Sequence, residues 1–501
     1  MGTAYNLTRE SIGRRAASPE FADRAALTFI EADMIRSWTY EEAWREIEGR
    51  ACGFAARGFA AGERVIIRLP HSAEYAFAFF GANLAGLVPV PASPQLTDAE
   101  VRFLIEDSGA TGIVARSQDA AYEGVRTVDE ARLSSVGAVQ SLPGTSAEDP
   151  AYLIYTSGTT ARPKGVLHAQ RVLRGRAFML GGAWEDLRPS DVVMHAGALN
   201  WSYTMGVGLM DPWTVGAHAV LVASGTEPAS WPRLIETHAV SVFVAVPTVY
   251  RQMLKYGRPE DRDLSCLRFG LCAGEALPPD TASAWRSRVG TDLFEALGMT
   301  ECSTYVSSGP AVPVRSGSPG KPQPGRTVAV LPESGDEPLP AGEVGLLAVH
   351  RSDPGLMLGY WRRPEEERAV LRGEWFVGGD RASLDEDGYV WFHGRADDVI
   401  KSFGYRLSPV EIEAALASLP GVADVAVIGV PVDADKTLVT ACVVAEAGSD
   451  VSESAMSAHA ALHLAEYKRP HQYRFLTSLP RTGNGKLRRA ELLHLVSQGL
   501  Q

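Results

Sequence analysis

From Arg64 onward, short apolar runs alternate with stretches of helical period. RVIIRLP (64–70) reads as a strand, AEYAFAFFGANLAG (73–86) as a helix and LVPVP (87–91) as a strand. DAEVRFLIEDSGA (98–110) then reads as a helix and TGIVA (111–115) as the next strand. Consecutive strands can pair in parallel only through a crossover such as these helices. The pattern therefore predicts parallel sheets covered by helices. Later strands, VSVFVAV (240–246) and RFGLC (268–272), each run into a polar or glycine-containing turn. In open sheets of this kind ligands sit beyond the carboxyl ends of the strands, so those turns are where a site is expected.

Between about residues 320 and 394 the texture changes. Short strand patterns such as TVAVLPE and GEVGLLAVH are separated by Gly, Pro and Asp, which predicts a small β subdomain. Ser408-Pro409-Val410-Glu411 then reads as a capping box with proline at the first helical position. The last hundred or so residues are expected to hold two helices and about three strands, the size of one small domain. The predicted fold class is α/β: a large N-terminal domain (1–394) of helix-covered sheets with the β subdomain, then a small α/β C-terminal domain (395–501), divided at Gly394–Asp397.

The apolar run AYLIY leads into YTSGTTARPKG (155–165). A loop of free N–H groups and hydroxyls with a cation behind it suits a polyphosphate. It is not the P-loop of kinases, because the position five residues after Gly158 is Pro163. Of the 501 residues 45% are apolar and 22% charged, as in soluble globular proteins. Net charge is −12, from 48 basic and 60 acidic residues. There is no basic excess to displace counterions, so no nucleic-acid partner is expected. A polyphosphate must be met by a few local cations. The five cysteines show no metal-binding spacing, and reduced thiols in a cytoplasm are expected. No stretch is long and apolar enough for a signal peptide or a membrane span. Asn6 breaks the myristoylation pattern.

Further segments place functional residue types after apolar runs: LCAGEALP (271–278), LFEALGMTEC (293–302), GEWFVGGD (373–380), GRADD (394–398) and LPRTGNGKLRR (479–489). Taken singly, each is an ordinary turn or helix start. Together and in this order, they make the chain resemble the adenylate-forming superfamily of acyl-CoA synthetases, peptide-synthetase adenylation domains and luciferases. The resemblance runs from about Leu27 to Lys486. It implies a large N-terminal domain, a mobile C-terminal domain and an active site between them.

In such enzymes a carboxylate attacks the α-phosphate of ATP and pyrophosphate leaves, so catalysis is mostly positioning and electrostatic stabilisation. The resemblance implies that Thr156, Ser157, Gly158, Thr159 and Thr160 wrap the phosphates, with Lys164 as the nearby cation. Glu301 would supply a hard oxygen to Mg2+, helped by Thr160. Thr300 would contact the α-phosphate. Gly274, Glu275 and Ala276 would wall the adenine slot, and Leu297, Gly298 and Met299 would line the nucleotide site. Asp380 would grip the ribose, and Arg395 would reach the ribose or phosphate. Lys486 would bridge carboxylate and α-phosphate, with Asp397 as the hinge. The residues implied in catalysis are Lys486, Thr300, Glu301 and Lys164.

HAGALNWSYTMG (195–206) is expected to line the acyl pocket through His195, Trp201 and Tyr203, with Gly298. Trp201 and Tyr203 stand two apart and would share a face on a strand. Two aromatic rings would shorten the pocket, favouring an aryl acid or a short to medium-chain acid. Two positions depart from the family: Ala161 stands where Gly is usual, and Leu297 where many relatives carry Tyr. Leu297 together with AGEALP is similar to benzoate-CoA ligase-type enzymes, yet Ala198–Leu199 lacks the Lys those often carry. KSFGYRLSP (401–409) resembles the pantetheine tunnel of CoA ligases, with Ser402, Phe403 and Gly404 along the thiol path. The implied co-substrates are ATP and coenzyme A, with Mg2+. A stand-alone enzyme loading a carrier protein and a non-catalytic nucleotide-binding module remain alternatives, and a homo-oligomer stays open. No acidic residue lies between His195 and Met210, which disfavours an amino-acid substrate. The absence of G-x-S-x-G argues against a serine hydrolase.

Overall fold

The computed structural model describes residues 4–32, 34–116, 121–134, 142–156, 163–396, 398, 400–402, 405–432, 437–464, 466–482, 485 and 487–498. They form two compact units, Met1–Thr327 with Val349–Phe376, and Val328–Ala348 with Val377–Gln501.

The first unit is built on a nine-stranded sheet. Its order is Lys321–Pro322, Ser303–Ser307, Leu293–Met299, Phe269–Ala273, Val242–Ala245, Val192–His195, His218–Val222, Ala25–Glu31 and Met34–Thr39. The strands from Leu293–Met299 to Ala25–Glu31 run parallel, and antiparallel strands close both edges. A second sheet, Val88–Ala92, Arg64–Arg68, Gly112–Ala115 and Arg126–Asp129, is wholly parallel. The alternating pattern of the sequence thus gives parallel sheets, as expected. A third, antiparallel sheet joins Gly359–Tyr360, Lys164–Ala169 and Pro150–Thr156.

Local chemistry sets the helices of this unit. Helix Ala73–Leu84 starts where the Ser72 hydroxyl accepts from the Tyr75 amide, and helix Asp98–Ser108 starts on a Thr97–Glu100 capping box. Ala73–Leu84 is apolar nearly all round and lies buried among its neighbours. It approaches helix Tyr40–Ala56 so closely that a Cβ at Gly81 would stand 2.8 Å from Arg50 Cβ.

In the second unit, strand Trp375–Leu384 pairs antiparallel with Val390–Arg395, placing Asp380 opposite Arg395. Farther along lie a hairpin, Ile400–Ser402 with Tyr405–Leu407, and a sheet of Val422–Pro431, Thr437–Ala445 and Gln472–Phe475. Helices Pro409–Ala417, Glu453–His463 and Arg489–Gln498 complete it. After Arg395 there are thus three α-helices, a short 3-10 helix at Glu466–Lys468 and five strands among the described residues, more than the two helices and three strands expected. The short hairpin strands carry too little pattern to read. Helix Pro409–Ala417 begins at Ser408 as expected, but without the capping box: the Ser408 hydroxyl donates to the His393 carbonyl at 2.8 Å. The division expected at Gly394–Asp397 begins within strand Val390–Arg395, inside this unit.

Burial lowers His71, His168 and His218 from 6.5 to about 4, and His195 to about 3. An unfolded chain takes up these protons near pH 6.5, and the native chain only near 4 or 3. The histidine contribution to stability is therefore complete above 6.5 and is lost as pH falls toward 4. Burial raises Glu295 to about 8 and Glu185 well above 4.5. Those two act oppositely, losing stability as pH rises through that window. Four groups against two leave a net loss on acidification. The thermal midpoint should be lower at about pH 5 than at about pH 7, checked by calorimetry across that range.

Candidate functional site

The parallel strands Val192–His195, Val242–Ala245, Phe269–Ala273 and Leu293–Met299 are neighbours in one sheet. Their carboxyl ends therefore open on one edge, where ligands of such sheets bind. Gly274 leaves the third of these strands at φ 90°, and a Cβ there would sit 3.2 Å from the Trp201 ring. A glycine is needed both for the turn and for the indole lying against it. Glu275 Oε2 accepts from Thr248 Oγ1 at 2.8 Å, and Ala276 is exposed. Sequence reasoning missed Glu295, which accepts from the Leu277 amide at 3.1 Å and so anchors the 274–277 turn. An acidic residue within the apolar run LFEAL was the available signal.

Strand Leu293–Met299 runs through Gly298, turns after Met299 over Thr300–Ser303 and returns as Ser303–Ser307. Leu297 pairs with Val306, the register slips, and Gly298 faces Thr304, followed by Met299 opposite Ser303. A Cβ at Gly298 would stand 2.7 Å from both Ser303 O and Thr304 Cα. Each residue of the turn is held from elsewhere. His168 Nε2 donates to the Thr300 carbonyl at 2.9 Å, and the Tyr360 hydroxyl donates to Glu301 Oε1 at 2.7 Å. Arg326 Nη1 donates to Cys302 Sγ at 3.4 Å, and Arg176 Nη1 to Ser303 Oγ at 2.7 Å.

Lys164 Nζ lies 4.8 Å from the centre of the Tyr360 ring and 3.1 Å from Glu366 Oε2. Thr156 is its cross-strand partner. The structure therefore brings together Thr156, Lys164, Thr300 and Glu301. The linking residues Tyr360, His168, Arg176 and Arg326 carry no motif, and their role was not legible in the sequence.

The strand expectation for Trp201 and Tyr203 is corrected. Trp201 caps helix Ser202–Met205 and Tyr203 lies within it. The rings still meet, edge to face, 5.0 Å apart. Tyr203 also meets His195 at 4.8 Å and is stacked on Trp184 at 6.2 Å.

In the second unit Arg395 Nη1 donates to Asp380 Oδ1 at 3.1 Å and to the Gly378 carbonyl at 2.8 Å. Asp380 is buried. Ser402 is buried too, and its hydroxyl donates to the Thr437 carbonyl at 2.6 Å. Ser157, Gly158, Thr159, Thr160, Asp397, Phe403, Gly404 and Lys486 lie outside the described residues. Among the described residues no group of three or more His, Cys, Asp or Glu is placed to hold a metal ion. Mg2+ needs no such cage, because it commonly takes one or two carboxylates plus phosphate oxygens and waters. The Glu301 carboxylate, oriented by Tyr360, fits that demand.

Gly298→Ala should cost about 1–3 kcal/mol through overpacking of the bulge and displace the Thr300–Ser303 turn. Denaturant midpoints and crystallography of the variant measure both effects. An unchanged midpoint would remove the steric argument.

Two family models match: AMP-binding enzyme over residues 14–361, and AMP-binding enzyme C-terminal domain over 411–486. The chain is 32% identical to an uncharacterized acyl–CoA ligase of Bacillus subtilis (strain 168), over 97% of this chain and 95% of that protein. It is also 32% identical to the benzoate–CoA ligase of Thauera aromatica, with the same coverage. Its structure superposes on that of the anthranilate CoA ligase AuaEII in complex with anthranoyl-AMP with a TM-score of 0.87. That match has 28% identity and covers 100% of this chain and 99% of that one. A first model covering well over half the chain, with relatives at this identity along almost its whole length, establishes that the chain belongs to the AMP-binding enzymes, the adenylate-forming acyl-CoA synthetase family.

Proposed function

We propose that the chain is an AMP-forming acid–CoA ligase acting on an aryl acid or an acid of short to medium chain length. The acid's carboxylate oxygen bonds to the α-phosphorus of ATP as pyrophosphate leaves. The thiol sulfur of coenzyme A then bonds to the acyl carbon as AMP leaves. The observation that carries this reading is the linkage of Lys164, Tyr360 and Glu301 beside Thr300. It sets a cation for phosphate next to a carboxylate for a metal ion at the carboxyl edge of a parallel sheet.

In this reading Thr156, with Ser157, Gly158, Thr159 and Thr160, holds the phosphates, and Lys164 exchanges Glu366 for phosphate oxygen. Glu301, with Thr160, holds Mg2+, which when bound offsets phosphate charge. Thr300 orients the α-phosphate. The adenine lies along Gly274, Glu275, Ala276 and Leu297–Met299. Asp380 accepts from the ribose hydroxyls, held in place by Arg395. Trp201, Tyr203, His195 and Gly298 meet the acid. Ser402, Phe403 and Gly404 border the thiol path, with the Ser402 hydroxyl held by the Thr437 carbonyl. The N-terminal domain ends at Gly394, and the C-terminal domain turns at Asp397 between the two steps. The reaction is placed in the cytoplasm, which five cysteines without a disulfide support.

A panel of carboxylic acids, each with ATP and Mg2+, should release AMP and pyrophosphate, with thioester formed only when coenzyme A is added. Release of ADP and phosphate, or of neither nucleotide product, would overturn the reading. Adenylate that passes only to a carrier protein would favour the carrier-loading alternative.

Lys486→Ala separates the two steps. It should slow acyl-adenylate formation by several orders of magnitude, since it removes a cation that acts as charge moves to pyrophosphate. Thioester formation from supplied acyl-adenylate should remain nearly intact. Rapid-quench assays of each half-reaction decide this, and equal losses in both would count against the role.

A further inference from the structure

Three polar groups around the Tyr203 ring have no hydrogen-bond partner among the described residues: His195 Nε2, Tyr203 Oη and Thr204 Oγ1. Trp184 Nε1, on the indole stacked on Tyr203, is a fourth. Their side chains are all buried, Tyr203 being the most exposed at 8%. Folded proteins leave few buried polar groups unbonded, and each one costs stability. Four in one cluster offer their bonds to a guest or to buried water.

The cluster has a definite chemistry. His195 Nδ1 accepts from the Gly197 amide at 2.9 Å, so in the neutral ring the proton sits on Nε2, a donor. Burial keeps that ring neutral, lowering it to about 3, and holds the Tyr203 hydroxyl well above its usual range. The Tyr203 and Thr204 hydroxyls can each donate or accept. Gly197 keeps Thr204 and His195 side by side, since a Cβ there would collide with Thr204 Oγ1 and lie 2.9 Å from His195 Cε1. The buried cation close by, Arg176, is already paired with Asp211 through both carboxylate oxygens. A second carboxylate on the acid would therefore be buried without a counter-charge, at high cost. A neutral hydroxyl accepts from His195 and exchanges hydrogen bonds with the two protein hydroxyls.

Trp201 fixes where such a guest would stand. Its ring lies against Gly274 and meets Tyr203 edge to face. The ring that the unbonded groups surround is therefore in contact, through Trp201, with the Gly274 turn. We propose that this site selects an aromatic acid whose ring carries a hydroxyl group, bonded by His195, Tyr203 and Thr204, over the unsubstituted acid. This inference rests on the ligase reading above.

The test measures kcat/KM for AMP release with benzoate, the three monohydroxybenzoates, 3-aminobenzoate and hexanoate. It uses the wild-type protein, Tyr203→Phe and Thr204→Val, each variant losing one hydroxyl with little change of shape. At least one hydroxybenzoate should exceed benzoate by about a hundredfold, about tenfold for each of the two protein hydroxyls that bond it. Each variant should cut that ratio by about tenfold. Benzoate, 3-aminobenzoate or hexanoate equalling the best hydroxybenzoate overturns the proposal and leaves the ligase reading standing. So does a ratio unchanged in both variants. AMP release from none of the acids overturns the ligase reading and this inference with it. If a variant does not fold, the wild-type ratios alone decide.

Discussion

The turn Thr300–Ser303 is gripped at every residue by a side chain from a distant part of the first unit: His168, Tyr360, Arg326 and Arg176. A four-residue turn has little structure of its own, and fixing each residue costs about 1–2 kcal/mol of backbone entropy. Here that cost is met within the fold, before any ligand arrives. The two arginines are held in turn. Arg176 is paired with Asp211, while Arg326 donates to Asp353 at 2.6 Å, to Gln323 at 3.0 Å and to the Gly175 carbonyl at 3.0 Å. Charges buried this deeply are tolerable only when paired and fully bonded, and removing one partner is strongly destabilising. The same bonds that make them tolerable make the turn rigid. A site whose chemistry is mostly electrostatic needs that rigidity, because groups that need not reorganise stabilise a developing charge best.

The second constraint is direction. Parallel strands start at one edge of a sheet and finish at the other, so the loops after Val192–His195, Phe269–Ala273 and Leu293–Met299 must share an edge. The acid-side residues, the Gly274 turn and the Glu301 turn come from widely separated parts of the chain, yet parallel pairing leaves them adjacent. Trp201 against Gly274 shows how close this brings them. One aromatic ring thus spans from the Gly274 turn to the Tyr203 ring, and each is shaped by what it packs against.

Much of this was legible in the order of the residues. Strand–helix alternation sets parallel sheets because crossover connections leave no alternative; the glycine at 274 announces a turn and the one at 298 a close backbone approach, both of which a side chain would block. Asp380 and Arg395, each beside a glycine, prove to be cross-strand partners. Local reading failed where two signals competed. Trp201 and Tyr203, two apart, fit a strand face, but a short helix begins between them. Ser408 has the sequence of a capping box, yet its hydroxyl finds the His393 carbonyl instead, a partner that exists only once strand and helix have met. The linkers Tyr360, His168, Arg176 and Arg326 carry no local pattern at all.

The sequence by itself determined the periodicities, the turn positions, the family and the types of residue offered to a nucleotide, because these depend on neighbours a few positions apart. Only the tertiary structure decided that Tyr360 lies between Lys164 and Glu301, that two buried arginines clamp the turn after Met299, and that His195, Tyr203 and Thr204 point polar groups at nothing in the described chain. Those facts depend on pairs far apart in sequence. Burial sets their energies by removing water as the competing partner, and burial is a property of the folded whole.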